Sequence, residues 1–192
     1  MKNHLHNYLL NLSASGLGLD FASFACRYGN FTIYCLMGPE ENFMQVTFAP
    51  AKHERLQKTL KSLNRNIYIR KRRQEDFHCN TMFADYFAGR RTEFPIIPDS
   101  PLIDAGTDFQ RSIWRHISSI QYSDCITYRR LAELAGSPKA SRAAGTACGA
   151  NPLALIIPCH RVVAVNGLGG FAGGVAVKKA LLALERTPAA LL

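Results

Sequence analysis

The chain has 192 residues, of which 47% are apolar and 19% are charged, a balance typical of a soluble globular protein with one or two small domains. No run is apolar enough, for long enough, to span a bilayer, and the N-terminus matches a signal peptide poorly, so we expect a cytoplasmic protein without membrane contact. The net charge of +9 favours an anionic partner, nucleic acid first.

The first half of the chain predicts a small sheet followed by helices. Aromatic and β-branched residues, interrupted by turns, are typical of three strands in an antiparallel meander: Leu17–Arg27, Phe31–Leu36 and Phe43–Phe48. Leucines at helical spacing predict a helix over Pro50–Leu63. A second helix is predicted over Asp76–Ala88, with Ile67–Ile69 before it as a candidate short strand. We interpret the basic run Arg70–Arg73 as a solvated face or loop.

A proline-rich stretch separates the two halves. Three prolines lie within Arg90–Gly106, and a residue that precedes a proline avoids helical backbone angles. We therefore predict an extended linker over residues 96–106, between an N-terminal domain of residues 1–95 and a C-terminal domain of residues 107–192.

The second half is mainly helical. Thr107 is a candidate N-cap for a helix over Asp108–Ser118. Two shorter helices, Tyr128–Ala135 and Lys139–Cys148, are joined by a tight turn that contains a glycine, and such a pair is typical of a helix-turn-helix. A last amphipathic helix is predicted over Val175–Glu185.

The second helix of this pair carries small residues around one long side chain, Arg142. Direct readout of base edges in the major groove needs several Arg, Asn or Gln side chains. Small residues instead let a helix lie close to the nucleic-acid backbone. The segment Ser141–Ala147 therefore predicts binding with little sequence preference, with Arg142 as its main contact.

The segment Pro158–Val162 holds the groups most suited to chemistry. Cys159 and His160, together with a carboxylate at Glu185, are the parts needed to form and hold a thiolate nucleophile. Neighbouring side chains point apart in regular structure, so direct proton abstraction from Cys159 by His160 is awkward. No carboxylate lies between Glu133 and Glu185, whereas several lysines and arginines do, as a site approached by phosphates would need.

The other cysteines give no sign of a disulfide framework or a metal site. The six cysteines include no CxxC pair, so we interpret them as reduced thiols of a cytosolic protein. His78 and Cys79 are adjacent, but no second ligand pair stands at a spacing typical of zinc. We therefore predict no metal and no cofactor.

Taken together, these residues resemble the O6-alkylguanine-DNA alkyltransferases, also called methylated-DNA–protein-cysteine methyltransferases. The ordered combination is specific, although no single piece of it is. The resemblance runs through the second half almost continuously: Gly106-Thr107-x-Phe109-Gln110-x-x-x-Trp114, Thr127-Tyr128, Arg142-Ala143, Asn151-Pro152, Pro158–Val162, Gly173-Gly174, Lys178, Leu181-Leu182 and Glu185. The first half resembles the family mainly through Tyr86-Phe87-Ala88-Gly89.

The resemblance implies a fold of the α+β (α/β) class. A small ribonuclease-H-like N-terminal domain with a three-stranded antiparallel sheet would precede a mainly helical winged-helix or helix-turn-helix domain. It also implies a monomeric DNA-repair methyltransferase that flips O6-alkylguanine, and O4-alkylthymine as well, out of double-stranded DNA. The alkyl group would pass irreversibly to Cys159, once per molecule. The DNA would be bound through its minor groove with little sequence preference.

The same resemblance assigns roles to individual residues. A water would link Cys159 to His160, Glu185 would orient the histidine, and these surroundings would lower the pKa of the thiol. Tyr128 would donate a hydrogen bond to a guanine ring nitrogen and crowd the DNA backbone, while Arg142 would fill the space left by the flipped base. The remaining DNA-binding residues would be Thr127, Ala143, Ala144 and Gly145. The substrate-binding residues would be Asn151, Val162, Phe171, Ala172 and Gly173.

Several of these roles involve the backbone. Asn151 would brace the turn between the DNA-binding helix and the cysteine. The carbonyls of Cys159 and Val162 would accept from the guanine amine, and the amide of Ala172 would contact the O6 side. Arg161 is expected to form an internal salt bridge or structural hydrogen bonds and not to touch the substrate.

Two features depart from the family pattern, and two other functions stay open. The loop between Val163 and Phe171 is one residue shorter than is common, and Phe171 stands where a tyrosine is frequent. A cysteine hydrolase is one alternative, disfavoured by the adjacency of Cys159 and His160. A non-catalytic helix-turn-helix regulator or damage sensor is the other, but the damage sensors of the family lack the cysteine that is present here.

Overall fold

The computed structural model describes residues 7–9, 19–39, 42–64, 66–94 and 100–186. In this part of the chain a sheet occupies the N-terminal half and helices dominate the C-terminal half, so the mixed α and β class is confirmed. The start of the first predicted strand (residues 17–18) and the start of the predicted linker (residues 96–99) lie outside the described residues. No helix in the described ranges is long and apolar enough to cross a membrane.

Four strands form the N-terminal sheet: β1 Leu19–Tyr28, β2 Phe31–Met37, β3 Phe43–Thr47 and β4 Ile67–Lys71. Their order is β3-β2-β1-β4, with the first three antiparallel as predicted and β4 parallel to β1. The predicted three-stranded sheet thus gains a fourth strand, and the candidate strand Ile67–Ile69 is confirmed within β4. Helix α1, Pro50–Leu63, has the predicted bounds and supplies the crossover that a parallel pair needs. The basic residues at the end of β4 lie exposed at the sheet edge, where charge discourages further pairing.

The second predicted helix is shorter than expected. Gln74–Asp76 forms a 3-10 turn, and α2 spans only Asn80–Phe87. Between them, Phe77 is buried against Phe83, with the ring centroids 5.8 Å apart. Phe77 has an extended backbone, with φ −88° and ψ 104°, so the segment that places this ring in the core interrupts the helix.

Five α-helices follow in the described part of the second half: α3 Pro101–Asp104, α4 Asp108–Ser118, α5 Tyr128–Leu134, α6 Ser141–Ala150 and α7 Val175–Arg186. Because α3 lies within the predicted linker, that part of the linker is not extended. Thr107 caps α4 in a capping box with Gln110, which confirms the predicted helix start. α5 and α6 are joined by the predicted tight turn, in which Gly136 has a φ of +72°.

The segment that leads to the cysteine is attached to the sheet. Val46 N donates to Pro152 O at 2.8 Å, and Ala154 N donates to Val46 O at 2.9 Å. These bonds satisfy backbone groups on the outer edge of β3, which would otherwise be unpaired. Buried side chains of both halves also belong to one continuous hydrophobic cluster. The approach to Cys159 is thus held by the sheet as well as by the helices.

Candidate active site

Cys159 lines a cavity of about 740 Å³. It begins a 3-10 turn, Cys159–Arg161, at the end of the wholly buried segment Leu153–Pro158. Cys159 is only 7% exposed, so a reacting group must enter the cavity to reach its Sγ. The cavity wall brings together six of the predicted site residues: Tyr128, Arg142, Gly145, Cys159, Phe171 and Ala172.

The imidazole of His160 is fully buried, and its Nε2 lies 2.7 Å from Oε1 of Glu185. Burial lowers the pKa of His160, so the ring is neutral at pH 7. A neutral ring that meets an ionised carboxylate through Nε2 carries its proton there, which leaves Nδ1 as an acceptor. Nδ1 is buried and has no hydrogen-bond partner among the described residues. His160 is thus held as an unprotonated base at Nδ1.

The Glu185 carboxylate collects several donors around this histidine. Arg161 donates from Nη2 at 2.9 Å and from Nε at 3.1 Å, so its predicted internal salt bridge is confirmed. Tyr86 OH donates to Oε1 at 2.7 Å. Burial alone would raise the pKa of Glu185, but the hydrogen bonds from His160 and Arg161, together with the charge of Arg161, outweigh it and lower the pKa to about 2. Glu185 is therefore ionised and fixes the orientation of the His160 ring.

The ionisation of Cys159 differs from the expectation drawn from the sequence. Burial raises the pKa of its thiol, and the hydrogen bond of Asn151 with the charges of Lys52 and Lys178 offsets only part of this rise. The expected lowering of the pKa is wrong for the free protein, because desolvation dominates for an enclosed thiol next to a neutral histidine. Removal of the thiol proton must therefore belong to the reaction step.

Asn151 follows α6 and braces the approach to Cys159, in the position expected from the sequence. Its Nδ2 donates to Ile157 O at 2.8 Å, and its Oδ1 accepts from Leu153 N at 2.9 Å. Between these two bonds, Leu155 has a φ of +73°. A non-glycine residue keeps this left-handed conformation only where its surroundings impose it. The loop before the cysteine is thus held in one shape.

A short parallel pairing sets Tyr128 beside the cavity. Strand β5, Ile126–Thr127, pairs with β6, Val162–Val163, so the start of α5 lies next to the segment that follows the 3-10 turn. Tyr128 OH donates to Gly170 O at 3.2 Å, and burial raises the pKa of Tyr128 to about 12, which keeps the phenol able to donate. Gly169 is required beside the ring, because with its φ of +69° a Cβ would lie 2.7 Å from Tyr128 Cε2.

Two buried residues of the site were not selected from the sequence. Lys178 donates from Nζ to Val162 O at 2.5 Å and lies 5.6 Å from the centroid of the Tyr128 ring. A carbonyl oxygen has two lone pairs, so Val162 O can still accept from a substrate. Tyr86 reaches Glu185 across 99 residues of sequence. In the sequence, both residues stood out only as parts of the motifs shared with the family, and those motifs do not indicate which groups the two side chains contact.

The far wall of the cavity depends on the N-terminal half. The Phe171 ring lines the cavity, and its centroid lies 5.9 Å from that of Phe48. Gly173 stands behind this wall, where a Cβ would lie 2.4 Å from Phe48 Cβ. Gly173 therefore permits close packing of the two halves, a role that differs from the substrate contact expected of it.

The exposed face of α6 carries part of the predicted DNA-binding set. Arg142 and Ala143 are exposed, and Gly145 is half-buried at the cavity. Ala144 is 0% exposed and packs in the core, so its side chain cannot reach DNA and the expectation for it is corrected. Thr127, another residue of the expected DNA-binding set, accepts from Arg130 N at 3.1 Å and so caps α5.

His78 and Cys79 are not part of a metal site among the described residues. His78 and Cys79 lie between the 3-10 turn and α2. Across the described ranges, no three His, Cys, Asp or Glu side chains come together as a metal site.

The site thus combines an enclosed cysteine, a histidine–glutamate pair in the next residue and on the last helix, and a cavity wall that includes the exposed Arg142 of α6. Residues 108–187 match the family model described as 6-O-methylguanine DNA methyltransferase, DNA binding domain. A methylated-DNA–protein-cysteine methyltransferase from Mycolicibacterium paratuberculosis is 47% identical over 109 residues, which cover 55% of this chain and 64% of that relative. The match thus spans less than two thirds of the relative's length.

Two solved structures extend the similarity over nearly the whole chain. The Mycobacterium tuberculosis O6-methylguanine methyltransferase is 29% identical with a TM-score of 0.66, and the match covers 89% of this chain and 97% of that one. Mycobacterium tuberculosis OGT in complex with DNA is 31% identical with a TM-score of 0.65, and that match covers 90% and 97%. The chain belongs to the O6-methylguanine-DNA methyltransferase family, and the resemblance inferred from the sequence is confirmed.

Proposed function

We propose that this chain repairs DNA by moving the alkyl group of O6-alkylguanine to Sγ of its own Cys159, once per molecule. The proposal rests mainly on His160, which directly follows the enclosed Cys159 in the chain. Its imidazole ring is buried and neutral, and Nδ1 carries no proton. The cavity of that thiol also receives Tyr128 and the exposed Arg142 of α6. Family membership and the DNA complex of a relative support DNA as the partner.

The chemistry follows from these groups. A water between His160 Nδ1 and Cys159 Sγ would pass the thiol proton to the histidine when a substrate fills the cavity. The thiolate then attacks the alkyl carbon, an S–C bond forms, and the C–O bond breaks with its electron pair going to guanine. Tyr128 would exchange its hydrogen bond to Gly170 O for one to a guanine ring nitrogen, where charge develops. The imidazolium proton finally neutralises the guanine, and the cysteine remains as a thioether.

The target atom is unreachable within a stacked duplex, so the nucleotide must leave the helix. Flipping costs a few kcal/mol, and less for a poorly paired base. We propose that Arg142 fills the vacated space and that Tyr128 crowds the backbone at the flipped nucleotide. Ala143 and Gly145 would let α6 lie close in the minor groove, with little sequence preference.

The pocket would read the flipped base through backbone groups. The carbonyls of Cys159 and Val162 each accept one internal hydrogen bond, from Val162 N and Lys178 Nζ, and each has a second lone pair for the guanine amine. The Ala172 amide would contact the O6 side, and Phe171 would form the apolar wall.

The finer architecture belongs to the same proposal. The antiparallel strands β1 to β3, followed by a crossover helix and the parallel β4, support a ribonuclease-H-like N-terminal domain. The capped α5, the tight turn and α6 support a helix-turn-helix of the winged type in a C-terminal domain that begins near residue 107. We further propose that the protein acts as a monomer in the cytoplasm.

Intact-mass measurement after mixing with duplex DNA that contains O6-methylguanine tests the function. The mass should rise by one methyl group, on Cys159, and no further rise should follow with excess DNA. Cys159→Ser should abolish the transfer. Cys148→Ser is the matched control, because Cys148 lines the same cavity and should be dispensable.

Other outcomes would favour the alternative functions. Binding of damaged DNA without any methyl transfer would identify a damage sensor. Sustained turnover of a generic thioester would identify a hydrolase. An intact lesion with an unmodified Cys159 would refute the proposed transfer.

A further inference from the structure

One lysine of the N-terminal half reaches into the C-terminal half beside the site. Lys52 lies in the first turn of α1, and its Nζ donates to Asn151 O at 2.6 Å and to Gly149 O at 3.2 Å. Asn151 is 99 residues and Gly149 is 97 residues away from Lys52 in the chain, so the bonds join the two halves directly.

The two carbonyls lie at the C-terminal end of α6, the helix that carries Arg142. The last carbonyls of a helix have no partner within the helix, and this end carries the negative pole of the helix dipole. An ammonium group that binds these carbonyls donates hydrogen bonds to them and places a positive charge at the negative pole of the helix. Lys52 thus acts as a C-terminal cap that α6 receives from another part of the chain.

The capped end leads directly to the cysteine. Asn151 uses its carbonyl for Lys52 and its side chain for Leu153 and Ile157, so one residue links the lysine to the loop before Cys159. The charge of Lys52 also acts on Cys159, where it partly offsets the rise in the thiol pKa that burial causes. Burial in turn lowers the pKa of Lys52, and the charge of a Cys159 thiolate would raise it again.

We propose that Lys52 is a positioning residue for alkyl transfer: it locks the end of the DNA-binding helix to the cysteine loop and brings a cation to that loop. This gives the N-terminal half a direct part in the reaction. The inference rests on the proposed function for its biological meaning, but its effect on the thiol can be measured without that function.

The test uses the full chain and a reagent that needs no DNA. The rate of Cys159 alkylation by iodoacetamide is followed from pH 7 to pH 11.5 by mass spectrometry of the Cys159 peptide, a range that extends above the raised pKa of this thiol. Lys52→Met keeps the length of the side chain and removes the charge. It should raise the midpoint of the profile of alkylation rate against pH by about one pH unit, which corresponds to a tenfold lower rate at pH 7.5. Lys52→Arg should keep the midpoint within about 0.3 units of wild type, because a cation remains.

Lys58→Met is the matched control, because Lys58 lies exposed on the same helix and should leave the profile unchanged. Thermal unfolding of each variant shows whether it is folded, and a purely structural role would lower the melting temperature without moving the midpoint. Equal midpoints for Lys52→Met and Lys58→Met would overturn the proposal. If the midpoint shifts but O6-methylguanine DNA leaves Cys159 unmodified, the proposed function fails while the role of Lys52 in the thiol's ionisation stands.

Discussion

Glu185→Gln should destabilise the protein and slow alkyl transfer together. The carboxylate is fully buried and accepts hydrogen bonds from His160, Arg161 and Tyr86. The amide keeps the shape but removes the charge, which leaves the Arg161 guanidinium without its counter-ion, a change that typically costs about 3–5 kcal/mol. The shift of the Glu185 pKa from 4.5 to about 2 gives a similar magnitude, about 3 kcal/mol at ~1.36 kcal/mol per unit.

The same shift sets the pH dependence of this effect. Because the pKa of Glu185 is lowered in the folded state, its contribution is fully present above pH 4.5 and is lost as the pH falls toward 2. Urea unfolding of both proteins from pH 7 to pH 3 should therefore show a difference in unfolding free energy that is about 2 kcal/mol smaller at pH 3. Transfer from O6-methylguanine DNA at pH 7.5 should slow by about 100-fold or more, because an amide can also stabilise the other tautomer of His160.

Glu133→Gln is the matched control for this substitution. Its carboxylate pairs at 3.3 Å with Arg129 and with Arg130, both exposed, and surface pairs of this kind contribute less than about 1 kcal/mol. We expect a small loss of stability and no change in transfer rate. If both variants lost equal stability, or if the Glu185→Gln difference were the same at pH 7 and pH 3, the ionised buried cluster would be refuted.

Two further predictions concern the DNA-binding helix and the cavity wall. Arg142→Ala should slow repair of duplex DNA by about 100-fold in single-turnover assays but leave the reaction with free O6-benzylguanine nearly intact. The control Arg115→Ala, at an exposed residue, should leave the reactions with both substrates nearly intact. Equal losses on both substrates for Arg142→Ala would exclude a flipping role. Gly173→Ala should lower the free energy of unfolding by about 1–3 kcal/mol, because its Cβ would meet Phe48 Cβ at 2.4 Å. Gly170→Ala, with nothing within 4 Å of the added Cβ, should be close to neutral in the same urea titration, and a similar loss for both would contradict the packing role.

The parts of the fold that the sequence predicted well depend on neighbours in the chain. The bounds of α1 and α4 and the cap of α4 follow from side chains within a few positions, such as Thr107 and Gln110. The adjacency of Cys159 and His160 was equally local, and it led to the expectation of a bridging water. The distant partner Glu185 came from the family resemblance together with its place on the last predicted helix.

Tertiary structure alone decided the features that join distant segments. Tyr86 meets Glu185, and Lys52 meets Asn151, each across 99 residues, and no local pattern encodes such a contact. The candidate strand Ile67–Ile69 was visible in the sequence, but its parallel pairing with β1 was not, because that pairing depends on the crossover through α1.

The sequence by itself determined which groups could react, namely the thiol of Cys159 and the histidine beside it. It also determined which element could bind DNA, the small-residue helix that carries Arg142. Only the folded chain decided their state. Packing of both halves encloses Cys159 and raises the pKa of its thiol, and it turns Ala144 into the core while Ala143 stays exposed. The physical reason is that ionisation and exposure depend on everything that surrounds a group in space, and most of those neighbours are remote in sequence.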